Sequence, residues 1–307
     1  MKIGMVGLGR MGANMAERLR ENGHEVVGYD VFSEATQVAS LEELVAELPS
    51  PKVVWVMVPA GGPTEDTVVA LGLLLQAGDV VIEGGNSSWR DSVRRAEGLA
   101  TAGIGYIDAG TSGGIWGRTE GYCLMVGGEP ANVEIAQPLF DALAPEGGFV
   151  HTGPVGTGHF TKMVHNGIEY GLMHAYAEGY ELLARSGLDI DAAGAMSAWR
   201  QGSVVRSWLL DLFVRALDQR PGLHGLAPVA QDSGEGRWMV QEAVERGVPV
   251  PVLTAALFAR FVSQDDDGMA MRAIAALREQ FGGHAVLPED SPGEGAPDVQ
   301  PADETPR

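Results

Sequence analysis

The chain has 307 residues, of which 45% are apolar and 20% are charged, and its formal net charge is −20 at pH 7. This length allows two domains and a sizeable core, whereas the negative charge argues against nucleic acid or an anionic membrane surface as a partner. Cys123 is the single cysteine, which excludes an intrachain disulfide and a cysteine-cluster metal site, and since we find no signal peptide and no apolar run of about 18 residues, we expect a cytoplasmic enzyme.

A glycine-rich loop separates a strand pattern from a helix pattern at the N-terminus. The apolar residues 2–6 lead into Gly7-Leu8-Gly9-Arg10-Met11-Gly12. In such a βαβ unit Gly7 permits a tight turn, Gly9 lets the backbone approach a pyrophosphate, and Gly12 lets helix and strand pack closely. The amides of the helix N-terminus then face the phosphates. The sequence therefore predicts that these six residues bind a dinucleotide.

Asp30 ends the second predicted strand, residues 25–29. A carboxylate at this point accepts hydrogen bonds from the ribose 2′-hydroxyl and repels a 2′-phosphate. Residues 31–34 include no base that could bind such a phosphate, and Arg10 is the one base in the glycine loop. We therefore expect NAD to be preferred over NADP.

Further strands are predicted at 53–58, 80–83, 106–108 and 122–126. Glycines and small polar residues follow the first three of them, in the loops Pro59-Ala60-Gly61-Gly62, Gly84-Gly85-Asn86-Ser87 and Ala109-Gly110-Thr111-Ser112-Gly113-Gly114. One such loop is an ordinary turn, but α/β folds bind ligands at the carboxyl ends of their strands. The recurrence predicts a site at one edge of a Rossmann-type doubly wound sheet.

From residue 156 onward the patterns are mainly helical, over 157–187, about 190–217, about 234–246, 251–264 and 268–280. The last 23 residues, 285–307, contain five prolines and six acids, so they cannot bury enough apolar surface to become ordered. We predict three regions. They are a dinucleotide-binding domain (1–155), an all-α substrate and dimerisation domain (156–285) and a disordered acidic tail (286–307).

A polar stripe opens the first of these helices. Lys162, His165, Asn166 and Glu169 recur at spacings of three and four, so they share one helix face. Lys162 and Glu169 are separated by about 10.5 Å of helix rise, which suits a small polar molecule with a proton-handling group at each end. A solvated helix face is the alternative interpretation.

The chemistry that such a stripe supports is oxidation of an alcohol beside a nicotinamide cofactor. Lysine is a base near neutral pH only if burial or nearby cations lower its pKa from about 10.4. If the alcohol is β to a carboxylate, its oxidation product readily loses CO₂, and a second acid on the stripe can protonate the enediol that remains. We expect no metal site, because the chain has neither HExxH nor a ligand cluster.

The motifs resemble those of the decarboxylating 6-phosphogluconate dehydrogenases in their short, NAD-preferring form, within the β-hydroxyacid dehydrogenases. The resemblance covers residues 1 to about 285. It is carried by the glycine loop and by Gly84-Gly85-Asn86-Ser87, SGGIWGRTEG (112–121), HNGIEYG (165–171), Phe258-Ala259-Arg260 and Phe281-Gly282-Gly283-His284.

The resemblance implies oxidative decarboxylation of 6-phospho-D-gluconate to D-ribulose 5-phosphate in the pentose phosphate pathway. It makes Lys162 the base at the 3-hydroxyl and Glu169 the acid that protonates the enediol. The substrate contacts that it implies are Asn86, Ser112, Gly113, Gly114, His165, Asn166, Tyr170 and, at the phosphate, Arg260. Asn86 is also assigned to the cofactor, together with Val58, Pro59 and Ala60. Arg278 and His284 correspond to a pair that reaches in from a second subunit, so we expect a homodimer or homotetramer.

The loop before Trp238 departs from the family pattern. Ser233 lies at the position of a phosphate-binding lysine in the longer enzymes, and Glu235 lies at the position of a threonine. We expect Ser233 to contact the substrate, and we expect weaker substrate binding unless Arg237 or another base compensates for the missing lysine. Two other functions stay open. One is oxidation of another β-hydroxyacid, and the other is a non-catalytic NAD-binding sensor, against which Lys162 and Glu169 count.

Overall fold

The structure is a computed structural model, and it describes residues 1–282 and residue 286. The predicted substrate contact of His284 and the predicted tail, apart from Val286, lie outside the described residues. Within the described part, no helix is both long and apolar enough to cross a bilayer.

Seven strands form one sheet in the order β2-β1-β3-β4-β5-β6-β7. Their bounds are β1 Lys2–Val6, β2 Glu25–Tyr29, β3 Val53–Val56, β4 Val80–Glu83, β5 Gly105–Ser112, β6 Cys123–Gly128 and β7 Phe149–Gly153. β6 runs antiparallel to β5, and the other neighbouring pairs are parallel. The direction of winding reverses between β1 and β3, and ligands bind at such switch points of open α/β sheets.

Helices cover both faces of this sheet, and after β7 the described part of the chain is helical. Their bounds in the described part are α1 Arg10–Glu21, α2 Leu41–Ala46, α3 Gly62–Leu74, α4 Trp89–Ala100, α5 Gly117–Glu120, α6 Pro130–Leu143, α7 Thr157–Ala184, α8 Ala192–Ala198, α9 Trp208–Gln219, α10 Glu235–Arg246, α11 Pro251–Val262 and α12 Met269–Gly282. The predicted Rossmann-type domain followed by a helical region is confirmed.

The core lies on both faces of the sheet, which is why β3 reads as the unbroken apolar run VVWV and is buried throughout. Trp55 of β3 packs edge-on against Phe140 of α6, with ring centroids 5.8 Å apart. On the opposite face Leu44, Leu71 and Leu99 of α2, α3 and α4 form a second apolar cluster. These two layers hold the carboxyl ends of the strands in fixed positions.

The single helix predicted over about 190–217 is wrong, because α8 and α9 are separate. Gly202 between them has a φ of +67°, which glycine adopts most readily. Ser207 then caps α9, since its hydroxyl accepts a hydrogen bond from the Leu210 amide at 3.1 Å. β7 is also not predicted from the sequence, because all of its residues are partly or fully exposed and its apolar pattern is weak.

α7 links the sheet to the helical region as one continuous helix of 28 residues. Its first turn is anchored by Asp108 at the end of the parallel part of β5. The buried Asp108 carboxylate accepts hydrogen bonds from the amides of Gly156 at 2.7 Å and His159 at 2.8 Å. A Cβ atom added to Gly158 would lie 2.3 Å from the Asp108 carbonyl oxygen, which is too close for any side chain. α7 therefore starts in direct contact with the sheet edge where the predicted site lies.

Candidate active site

A cavity of about 750 Å³ opens at the carboxyl ends of β1 to β4. Its lining includes most of the predicted cofactor residues, namely Gly7, Gly9, Arg10, Met11, Gly12, Asp30, Val58, Pro59 and Asn86. Of the described residues in that prediction, Leu8 and Ala60 lie outside the lining. The Leu8 side chain is buried in the core. Its backbone amide takes part indirectly, because it donates a hydrogen bond to the Asp30 carboxylate.

The glycine loop has the geometry that a bound pyrophosphate requires. Gly7 has a φ of +93°, and a Cβ at Gly12 would lie 2.0 Å from the Gly7 carbonyl oxygen, so both positions need glycine. A Cβ at Gly9 would meet no protein atom within 4 Å. Gly9 is also the N-cap of α1 and supplies no side-chain cap. The N-terminal amides of α1 are therefore left for an anionic ligand, and the residues present fit a dinucleotide.

Asp30 is held at the margin of this cavity by three amides. Its Oδ2 accepts a hydrogen bond from Leu8 at 2.6 Å, and its Oδ1 accepts from Phe32 at 2.7 Å and Ser33 at 3.1 Å. Among the described residues of the lining, the charged ones are Asp30, Asp66 and Arg10. The lining in the described part therefore carries two acids and one base.

A second cavity, of about 920 Å³, adjoins the first, and the two share Met11 and Asn86. Seven of the predicted catalytic and substrate residues besides Asn86 line it, namely Ser112, Gly113, Gly114, Lys162, His165, Asn166 and Glu169. The structure thus brings together groups from the loop after β4, the end of β5 with the turn that follows it, and α7, which are far apart in the sequence. A molecule in this cavity would lie directly beside one in the dinucleotide cavity.

Asn86 is fixed where the two cavities meet. Its φ of +52° is uncommon for a residue other than glycine. Its side-chain amide donates to the Thr111 carbonyl oxygen at 3.1 Å and accepts from the Thr111 amide at 2.9 Å. This paired contact ties the loop after β4 to the end of β5, so that both loops face the shared space together.

Lys162 is the buried cation of the second cavity, with 5% of its surface exposed. Its stem packs on β5, where a Cβ at Gly110 would lie 2.5 Å from the Lys162 Cβ. Burial lowers the pKa of Lys162, while the carboxylates of Glu169 and Glu235 act in the opposite direction. A lowered pKa increases the neutral fraction of the amine, which is the form that accepts a proton.

The neighbours of Lys162 on α7 form a hydrogen-bonded set. Asn166 Oδ1 accepts from Lys162 Nζ at 2.7 Å and lies 2.9 Å from His165 Nδ1. If Nδ1 is the donor, Nε2 of a neutral His165 can accept from the Ser112 hydroxyl at 3.4 Å. Glu169 lies one turn further on, with its Oε2 3.9 Å from His165 Nδ1 and its side chain 35% exposed. The acid is therefore more accessible to solvent than the base.

Tyr170, Ser233 and Arg260 form a separate group that does not line either cavity in the described part. The Ser233 amide donates to the Tyr170 hydroxyl at 2.9 Å, and the Arg260 guanidinium lies 3.5 Å from the Tyr170 ring centroid. Glu235 joins this group to the stripe on α7, because it accepts from Asn166 Nδ2 at 2.8 Å and from the Ser233 hydroxyl. Arg237 is engaged elsewhere, since it pairs with Asp232 at 2.9 Å.

Several residues of the site are not predicted from the sequence. Trp208, Leu209 and Leu212 of α9, together with Trp116, form an apolar wall of the second cavity. Apolar residues at helical spacing give no signal that separates a cavity wall from a core. Arg278 is exposed on α12 and, in the part of the chain that is described, lies outside both cavity linings.

Two family models together match nearly the whole described chain. The "NAD binding domain of 6-phosphogluconate dehydrogenase" matches residues 2–156, and the "6-phosphogluconate dehydrogenase, C-terminal domain" matches residues 158–285. The break between the two matches falls at the start of α7.

Individual relatives agree with these models. The chain is 43% identical to the protein YqeC of Bacillus subtilis, covering 93% of this chain and 99% of that one. It is 42% identical to the NAD(+)-dependent, decarboxylating 6-phosphogluconate dehydrogenase of Haloferax volcanii, covering 94% of this chain and 100% of that one. Among solved structures, Plasmodium falciparum 6-phosphogluconate dehydrogenase matches with a TM-score of 0.77 and 25% identity, covering 96% of this chain and 67% of that one.

Proposed function

The chain belongs to the 6-phosphogluconate dehydrogenase family, and from this premise we propose that it converts 6-phospho-D-gluconate to D-ribulose 5-phosphate and CO₂. The cofactor is a nicotinamide dinucleotide, which when bound accepts the hydride from the substrate's C3. The observation that carries the proposal is the buried Lys162 in a cavity that adjoins the dinucleotide cavity at Met11 and Asn86.

Lys162 acts as the base in the first step. Its neutral amine takes the proton of the 3-hydroxyl as the carbinol carbon is oxidised, which leaves a β-keto acid and an ammonium. The ammonium then donates a hydrogen bond to the carbonyl oxygen, on which negative charge develops as CO₂ leaves. Asn166 Oδ1, 2.7 Å from Lys162 Nζ, holds the amine in place in both protonation states.

Glu169 acts as the acid in the last step. The enediol left by decarboxylation needs a proton on the carbon that has lost CO₂. Glu169 and Lys162 line the same cavity from one helix face, two turns apart, so their side chains can approach adjacent carbons of one substrate from two directions. The partial exposure of Glu169 lets its carboxyl regain a proton from solvent after each turnover.

NAD is the preferred cofactor. The carboxylate of Asp30 receives a ribose hydroxyl and repels a 2′-phosphate, and Asp66 adds a second negative charge to the same lining. Near-equal kcat/KM values with NAD and NADP would contradict this preference.

The substrate phosphate binds toward Tyr170, Ser233 and Arg260. Arg260 supplies the positive charge, and the Tyr170 hydroxyl supplies a donor. The pairing of Arg237 with Asp232 speaks against Arg237 as the replacement for the missing lysine. Arg278 and His284 serve a neighbouring subunit, and the active assembly is a cytoplasmic homodimer or homotetramer.

A substrate panel with a matched pair of variants tests the proposed function. NADH formation is followed with 6-phosphogluconate, gluconate and 3-hydroxyisobutyrate as substrates. We expect efficient turnover of the phosphorylated acid alone, and its loss in Lys162→Met. Lys2→Met is the control, because the ion pairs that Lys2 makes with described residues are surface pairs with Glu25 and Glu47. Turnover of another β-hydroxyacid alone, or full activity of Lys162→Met, would refute the proposal.

A further inference from the structure

Glu235 is a buried carboxylate for which the proposed reaction has no use. It is the first residue of α10, and 6% of its surface is exposed. We propose that Glu235 is a positioning residue, which orients the Asn166 amide so that its carbonyl oxygen faces the amine of Lys162. This inference rests on the proposed role of Lys162 as the base.

The hydrogen-bond chemistry of the three groups allows one orientation of the Asn166 amide. Asn166 Nδ2 donates to Glu235 Oε1 at 2.8 Å, and Asn166 Oδ1 accepts from Lys162 Nζ at 2.7 Å. An ionised carboxylate only accepts and an ammonium only donates. If the amide turned over, its NH₂ would meet the ammonium and its oxygen would meet the carboxylate. Glu235 therefore stabilises the orientation that serves the base.

Glu235 is itself held from the other side. Its Oε2 accepts from the Ser233 hydroxyl, and Ser233 is fixed by the hydrogen bond of its amide to Tyr170 at 2.9 Å. Both carboxylate oxygens are thus paired inside a buried network, where such bonds are strong and strongly directional.

The charge of Glu235 also acts on Lys162 itself. The titratable groups around Lys162 are Glu169 and His165 on α7, Glu235 on α10 and Cys123 on β6. The carboxylate of Glu235 favours the ammonium and so opposes the effect of burial on the pKa of Lys162. Loss of this charge disfavours the ammonium, and we expect the titration of Lys162 to move to lower pH.

The titration of Lys162 can be followed directly. The chain contains only three lysines, Lys2, Lys52 and Lys162, so protein made with carbon-13-labelled lysine gives three Cε signals, and Lys162→Arg identifies the third. In Glu235→Gln we expect the Lys162 signal to titrate at lower pH than in the unaltered protein. The matched control is Glu242→Gln, because Glu242 is another buried carboxylate of α10 but pairs with Arg90 and Arg246. It should leave the Lys162 titration unchanged.

Kinetics supply the second readout. Glu235→Gln should move the rising limb of the kcat/KM profile to lower pH and reduce the plateau of kcat by about 10- to 100-fold, as expected when a reacting group is misplaced by about 1 Å. Glu235→Asp keeps the charge but shortens the side chain. The rising limb of its kcat/KM profile should therefore stay at the same pH, while kcat falls. Circular dichroism verifies that each variant is folded.

The outcomes separate this inference from the proposed function. If Glu235→Gln leaves both the Lys162 titration and the kinetic profile unchanged, or if Glu242→Gln moves them equally, the positioning role is refuted while the function stands. If the unaltered protein does not turn over 6-phosphogluconate, the proposed function fails, and the titration of Lys162 still decides whether Glu235 acts on it.

Discussion

The contact between β5 and α7 can be tested by adding a single methyl group, with Gly110→Ala. A Cβ at Gly110 would lie 2.5 Å from the Lys162 Cβ and 2.9 Å from the Gly158 carbonyl oxygen, whereas ordinary contact begins at 3.4 Å. These atoms belong to the helix backbone or lie next to it, so they cannot move like the end of a flexible side chain. The first turns of α7 must therefore move away from the sheet by about 1 Å.

That displacement carries the proposed base with it. A misplacement of about 1 Å can cost about 100-fold in rate, and overpacking of this kind typically costs about 1–3 kcal/mol of stability. We expect Gly110→Ala to reduce kcat by about 10- to 100-fold and to lower Tm, with cofactor binding little changed.

The assay compares steady-state kinetics and thermal unfolding of Gly110→Ala with those of Gly98→Ala. Gly98 lies on the exposed side of α4, and a Cβ there would meet nothing within 4 Å. The control should keep full activity, and its free energy of unfolding should rise by up to about 1 kcal/mol, because alanine favours the helix. If Gly110→Ala behaves like Gly98→Ala, the close packing of β5 on Lys162 is refuted.

Three further outcomes follow from the site. Glu169→Gln should lower kcat by about 100-fold or more, with a smaller effect on substrate affinity, and an unchanged rate would contradict its role as acid. Asp30→Ser should reduce the ratio of kcat/KM with NAD to that with NADP, because the repulsion of the 2′-phosphate is lost; an unaltered ratio would count against Asp30. Arg260→Met should raise KM for 6-phosphogluconate by at least about tenfold, since it removes a charged donor to the phosphate, whereas an unchanged KM would place the phosphate elsewhere.

The N-terminal part of the fold follows from local rules, because each element there has its own signal. The apolar runs at β1, β2 and β4 have the predicted bounds, and the glycine loop marks the start of α1. The break between α8 and α9 also has local signals, a glycine at Gly202 and a helix-capping serine at Ser207. It is missed because the apolar residues on both sides continue at helical spacing. β7 has no comparable signal, because its pairing with β6 is set by the sheet rather than by its own residues.

The site is predictable where one element supplies several groups and not where distant elements meet. Lys162, Asn166 and Glu169 share a face by spacing alone, and Asn86 and Ser112 follow from the rule for strand ends. Glu235 contacts Asn166 across 69 residues of sequence, so no local sequence pattern predicts this contact. Trp208 reaches the cavity only because α9 folds back over α7.

The arrangement of α7 explains why the polar stripe faces a cavity rather than solvent. Gly167 and Gly171, four residues apart, lie on the opposite face of the helix from Lys162. A Cβ at Gly167 would lie 1.9 Å from the Met239 sulfur, and one at Gly171 would lie 2.9 Å from Leu253 Cδ2. The missing side chains let α10 and α11 pack closely on that face, which leaves the face with Lys162 and Glu169 toward β5 and α9. Because base and acid belong to one helix packed in this way, their separation is set by helix geometry and not by the motion of a loop.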